Sequence, residues 1–138
     1  MRRGKELRDK KDFTRALIEF KNAASAMPKD AEPQYQMGLT YLEAGSPASG
    51  VGALRKAIAL NPKHQQAQLK LAELMTTSGN KDLLEQAASR LETILSATPD
   101  NSEANDALAL AEWKLGKTDD AIDRLEDTLK KFPTRLQT

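Results

Sequence analysis

Four prolines, Pro28, Pro62, Pro99 and Pro133, stand at intervals of 34, 37 and 34 residues. A period of that size marks a unit of secondary structure stacked on copies of itself. The stretch from Ala31 to His64 is the fullest copy. Its Gln34, Met37-Gly38, Tyr41, Gly45, Gly50, Leu54, Ala57 and Pro62 describe two amphipathic helices hinged near Gly45 and closed by proline. Such a skeleton specifies packing and names no ligand.

Taken in order, residues 2 to 10 read as the tail of a helix whose beginning is missing, with Leu7 apolar and a turn at Lys10-Lys11-Asp12. Phe13 to Met27 carries Ala16, Leu17, Phe20, Ala23 and Ala24 at helical spacing. Asp30 caps the next helix, which runs to about Ala44, with Glu32 and Pro33 suited to its first turn. Gly45 supplies a left-handed stop, and Ser46-Pro47 restarts the chain as cap and first helical residue toward Leu60. A third pair follows over His64 to Ser78 and Asp82 to Ala97. It holds three extra residues, expected to lengthen the turn at Gly79-Asn80 or add a helical turn from Asp82 to Leu84. The last pair is Ser102 to Leu115 and Thr118 to Phe132, with Thr118 as cap.

These residues resemble the tetratricopeptide repeat, whose 34-residue unit reads W-x2-L-G-x2-Y, then A-x3-F, then P. Met37-Gly38-x2-Tyr41, Gly50-x3-Leu54 and Pro62 match it. So do Ala16-x3-Phe20 with Pro28, Leu71-Ala72-x2-Met75 with Ala87-x3-Leu91 and Pro99, and Leu108-Ala109-x2-Glu112 with Ala121-x3-Leu125 and Pro133. Lys29-Asp30-Ala31-Glu32-Pro33 and Leu60-Asn61-Pro62-Lys63-His64 resemble phrases of bacterial envelope members. The resemblance implies an all-α right-handed superhelix, an α-solenoid of about seven antiparallel helices. One domain is expected over 1-138, with a partial repeat 1-30 and repeats 31-64, 65-101 and 102-135, as a fragment of a longer protein. Small residues in each first helix (Gly38, Ala72, Ala109) would face small residues in the second (Ala16, Gly50, Ala87, Ala121). Gln34, Gln68 and Asn105 replace the large aromatic of the pattern, which reduces its contribution to packing.

Charge and composition remove several function classes. The chain carries 21 basic and 20 acidic residues for a formal charge of +1, so no global field draws it to nucleic acid or an anionic membrane. A mild gradient runs from a basic beginning to an acidic end, and the run Arg2, Arg3, Lys5, Arg8, Lys10, Lys11 lacks interleaved aromatics for base stacking. There is no cysteine and one histidine, which removes thiol chemistry, triads and histidine metal clusters. His64 itself reads as a solvated turn residue. Gly45-x4-Gly50 has phosphate-loop spacing, but Val51-Gly52 replaces the Lys-Ser/Thr pair. No apolar run reaches the length of a membrane span, and Met1-Arg2-Arg3 does not open a signal peptide. A soluble protein is expected, cytoplasmic, or periplasmic if a leader was removed, with no catalytic residue, cofactor or metal.

The resemblance implies a non-catalytic protein-protein interaction scaffold that holds a peptide or helix of a partner in its concave groove. The alternative is a self-associating structural module of a larger envelope or secretion assembly, and an enzyme domain comes third. The two-carboxylate clamp known in the family is absent: the matching positions hold Met1, Lys5, Gln36, Gln66 and Lys70, or Tyr35, Leu39, Lys70, Glu103 and Ala107. Helical spacing assigns the partner-binding residues to Lys5, Tyr35, Gln36, Leu39 and Leu42, then Leu69, Lys70 and Glu73, then Asp106, Leu110 and Trp113. An uncovered last pair is expected to expose Leu125, Leu129 and Phe132 and to favour a homodimer through the ends.

Overall fold

The computed structural model describes residues 1–77 and 79–131, without the side chains of residues 118, 128, 129 and 131. Among the described residues there are eight α-helices and no strand: α1 (Arg2–Asp9), α2 (Phe13–Ala26), α3 (Ala31–Glu43), α4 (Pro47–Leu60), α5 (Gln65–Thr76), α6 (Lys81–Ala97), α7 (Ser102–Lys114) and α8 (Thr118–Lys131). They form two compact units, Met1–Gln68 and the residues from Leu69 on. The expected Thr118 cap, Leu129 contact and Phe132 contact lie outside the described side chains.

The helices start where the sequence offers an acceptor to first-turn amides that have no helical partner. Asp12 Oδ1 accepts from the Arg15 amide at 3.2 Å, Asp30 Oδ1 from Glu32 at 2.9 Å, Asn80 Oδ1 from Asp82 at 2.9 Å and Asn101 Oδ1 from Ala104 at 3.1 Å. Ser46 occupies the expected cap position before Pro47, yet its side chain makes no capping bond. There the start rests on the fixed φ of Pro47.

In the first unit α1 packs on α2, α2 on α3 and α3 on α4. Its core is Leu7, Ala16, Phe20, Met37 and Ala53, with Met1, Leu17 and Tyr41 against it. The close approach of α3 to α4 depends on glycine. A Cβ on Gly38 would stand 2.9 Å from Leu54 Cγ, and one on Gly50 would stand 2.9 Å from Leu42 Cγ and Cδ2. Residues 2–9, expected as the tail of a helix, are helical and pack on α2, which brings the number among the described residues to eight. The reason is Gly4, which is buried against Phe20: a Cβ there would lie 2.6 Å from the ring. Gly4 precedes Gly38 by one period and plays the same part.

In the second unit α6 packs on α7 and α7 on α8. The three extra residues lengthen α6, which has 17 residues against 14 in α2 and α4. The added turn lies at its N-terminal end, and Ala87 and Leu91 remain fully buried at their expected places.

Two helix-joining turns use glycine in the left-handed region, Gly45 at φ +82 and Gly116 at φ +85. The equivalent residue between α1 and α2 is Lys11, at φ 64. A side chain there costs roughly 1 kcal/mol relative to glycine. Lys11→Gly is therefore expected to stabilise the chain by about 0.5–1 kcal/mol in urea unfolding. A loss of stability would mean that the Lys11 side chain makes a compensating contact.

Candidate functional site

The eleven residues assigned to partner binding divide between the two units. In the first, Lys5 is exposed on α1, and Tyr35 and Leu39 are half-buried on α3. Two of the group are engaged within the unit. Leu42 leans on Gly50 of α4, because the glycine leaves a hollow that a neighbouring leucine fills. Gln36 is only 5% exposed. Its Oε1 accepts from Arg8 Nη1 at 2.6 Å, and its Nε2 donates to Glu32 Oε1 at 2.8 Å. Both ends of the amide are thus committed within the protein, where an unpaired amide would carry a desolvation cost.

Gln36 belongs to a polar chain across α3. Arg8, from α1, also reaches Glu43 at 3.7 Å and lies 5.9 Å over the Phe20 ring. At the other end, His64 Nε2 is 3.0 Å from Glu32 Oε2, and His64 Nδ1 accepts from the Ala67 amide at 3.1 Å. An accepting Nδ1 assigns the neutral ring's proton to Nε2, so His64 donates to Glu32. The Tyr35 ring lies 4.8 Å from that of His64, tilted by 45°. His64 is therefore a helix cap and a carboxylate partner with an 11% exposed side chain, which corrects the expectation of a solvated turn residue. One sequence signal pointed to it: His64 stands one period after the cap Asp30 and one lengthened period before the cap Asn101.

Burial raises the Glu32 carboxyl, but this is outweighed by the hydrogen bonds from Gln36 and His64 and by the electrostatic attraction of His64 and Lys5. The result lies below the ordinary value of 4.5. A proton-transfer site needs a reacting group beside a tuned acid or base. Here the carboxylate's neighbours hold it ionised inside a helix-to-helix link.

The second unit gathers more of the assigned residues. Glu73 of α5 and Asp106 and Leu110 of α7 line an open groove of about 350 Å³ with Thr76, Glu103 and Ala107. Lys70 pairs with Glu73 at 3.4 Å, and Leu69 is half-buried. Asp106, Leu110 and Trp113 line an adjoining groove of about 280 Å³ with Ala109, Ala121, Ile122 and Leu125. Trp113 is 60% exposed and Leu125 46%. Ile122 was not among the assigned residues. It lies three residues before Leu125 on α8, whose exposure was expected, so that spacing could have added it.

A third groove, of about 410 Å³, is lined by Leu95, Pro99, Asn105, Glu112, Asp120, Asp123, Arg124 and Asp127. Glu112, nearly buried, is held there by Arg124 Nε at 2.6 Å. Among the described residues, no three His, Asp or Glu side chains are placed to hold a metal ion, and no helix is long and apolar enough to cross a membrane.

Comparison with known proteins agrees with this architecture. MamA from Desulfovibrio magneticus RS-1, residues 41 to the end, superposes with a TM-score of 0.86 at 22% identity, over 97% of this chain and 74% of that one. A second MamA structure gives 0.82 at 25% identity, over 97% and 77%. YrrB, described as a TPR protein with an unusual peptide-binding site, gives 0.80 at 16% identity, over 96% and 67%. No curated protein matches the chain. The family model of the cytochrome c-type biogenesis protein H TPR domain matches residues 5–137. With eight α-helices and no strand among its described residues, the chain belongs to that family of tetratricopeptide-repeat domains.

Proposed function

We propose that this chain is a non-catalytic scaffold that holds a peptide or helix of a partner protein on the outward faces of its first helices. The observation that carries the reading is the clustering of Leu110 and Trp113 with Glu73 and Asp106 along open grooves of α5 and α7. Large exposed apolar side chains beside polar ones suit recognition of another chain. Lys5, Tyr35 and Leu39 supply a corresponding face on the first unit. The family's description further suggests a partner within a cytochrome c-type biogenesis machinery. A homodimer through the α7–α8 face is the second reading, favoured by the exposure of Leu125.

The test is capture of a partner by crosslinking, followed by titration of the purified pair. Leu39→Ala and Trp113→Ala are each expected to weaken binding by about 1–2 kcal/mol, with unchanged helicity by circular dichroism. Unchanged affinity in the double variant would move the site to other surfaces. Tyr35→Ala is a poorer probe, because that ring also supports His64.

A further inference from the structure

We infer that the α7–α8 face of the second unit docks a basic amphipathic helix of a partner protein. This rests on the scaffold reading above and adds the chemistry of the partner. Leu110 and Trp113, three residues apart on α7, meet Ile122 and Leu125, three apart on α8, around a shallow floor of Ala109 and Ala121. All four large side chains are at least 40% exposed. Scattered apolar residues on a surface need no explanation, but a contiguous set lining one groove marks an interaction site. A helix with apolar residues at i, i+3, i+4 and i+7 presents a stripe suited to such a groove.

Charge selects the occupant. Asp106 lines both this groove and the adjoining one, where Glu73 and Glu103 also stand. On α8, Asp119 and Glu126 lie three residues before and four after Ile122, on the same flank by helical spacing. The neighbouring cations are engaged within the chain: Lys114 Nζ donates to the Thr76 carbonyl at 2.6 Å, Lys70 pairs with Glu73, and Arg124 with Glu112. The rim is thus acidic around an apolar floor. A second copy presenting this same face would set acid against acid. The exposed residues of α1 are Arg2, Arg3, Lys5, Glu6 and Asp9 and provide no apolar stripe to fill the groove. A helix that joins leucine-like residues to Lys or Arg satisfies both requirements.

The experiment titrates the full chain with two synthetic helices of about 16 residues, long enough to form in a groove. Both carry leucine at i, i+3, i+4 and i+7, and the remaining positions are mainly Lys in one and Glu in the other. Trp113, the chain's single tryptophan, reports binding through its emission. The Lys helix is expected to shift the emission to the blue and saturate. The Glu helix is expected to bind at least about tenfold more weakly, with the gap narrowing as salt rises. Ile122→Ser with Leu125→Ser should weaken the Lys helix about tenfold or more, and Glu103→Gln with Glu126→Gln should reduce the preference for Lys over Glu.

Equal binding of the two helices would overturn the inference, as would the absence of any shift with either. A blue-shifted Trp113 in the chain alone would also overturn it, naming the chain's own residues as occupant if independent of dilution and a second copy if lost on dilution. The scaffold reading is separable: if Leu39→Ala abolishes capture of a natural partner while Ile122→Ser with Leu125→Ser does not, the scaffold stands and this docking face falls.

Discussion

Phe20→Ala is expected to cost the first unit about 3–5 kcal/mol, the range for emptying a fully buried aromatic site. Phe20 has no exposed surface and sits where three helices meet, with Leu7 of α1, Ala16 of α2 and Met37 of α3 in the same cluster. Its ring lies so close to Gly4 that no Cβ fits between them, while the Arg8 guanidinium lies over it at 5.9 Å. Collapse cannot readily close the space, because the backbone of α1 already rests on the ring. Since α1 has only eight residues, it is too short to persist without that support. The variant should therefore lose helical signal and the Arg8–Gln36 link together with stability. Urea unfolding followed by circular dichroism measures both. A loss below about 1 kcal/mol with α1 amides still protected from exchange would mean that α1 is held by something other than this ring.

Much of this fold was legible because repeat packing writes the same small and large residues at the same offsets. Gly38 and Gly50 mark a close approach, and Ala16, Ala72, Ala87, Ala109 and Ala121 are buried at the matching offsets. The extra turn of α6 followed from the 37-residue interval, since three residues make nearly one turn and leave Ala87 in phase. The first helix was legible only in part, as the tail of one. Its Gly4-x2-Leu7 keeps the pattern, but its outer positions are charged, so hydrophobic periodicity gave little signal. The site was legible to a smaller degree. Spacing identified which side of α7 carries Asp106, Leu110 and Trp113, but it could not foresee that Leu42 would fill the hollow over Gly50 or that Gln36 would be used up between Arg8 and Glu32. Such side chains go where a neighbour leaves space or a partner, and those neighbours lie from four to twenty-eight residues away in sequence, Gly50 for Leu42 and Glu32 and Arg8 for Gln36.

The His64→Ala variant is expected to lose about 2–3 kcal/mol, from two separable causes. One is the cap: His64 Nδ1 accepts from the Ala67 amide, and removing a capping acceptor costs about 1 kcal/mol. The other is the 3.0 Å contact with Glu32, a charge-assisted hydrogen bond worth roughly 1.5–3 kcal/mol where it is sheltered, and less here because the Glu32 side chain is 35% exposed. His64→Asn, which can cap but cannot reach Glu32 in the same way, should recover about 1 kcal/mol. The acid limb separates the causes further. Glu32 is held below 4.5 in the folded chain, so its contribution is complete above the ordinary carboxylate range and is lost as pH falls through the lower folded value. Removing the His64 side chain leaves only Gln36 and Lys5 to lower it against burial, so the folded value rises toward the ordinary one. Unfolding free energy should then fall less steeply below about pH 4.5 in His64→Ala than in the parent chain, and His64→Asn should share the shallower slope while regaining the cap. Urea unfolding of the three proteins between about pH 3 and 7 gives both numbers. Equal losses in the alanine and asparagine variants would remove the cap from the account, and an unchanged acid slope would remove the carboxylate.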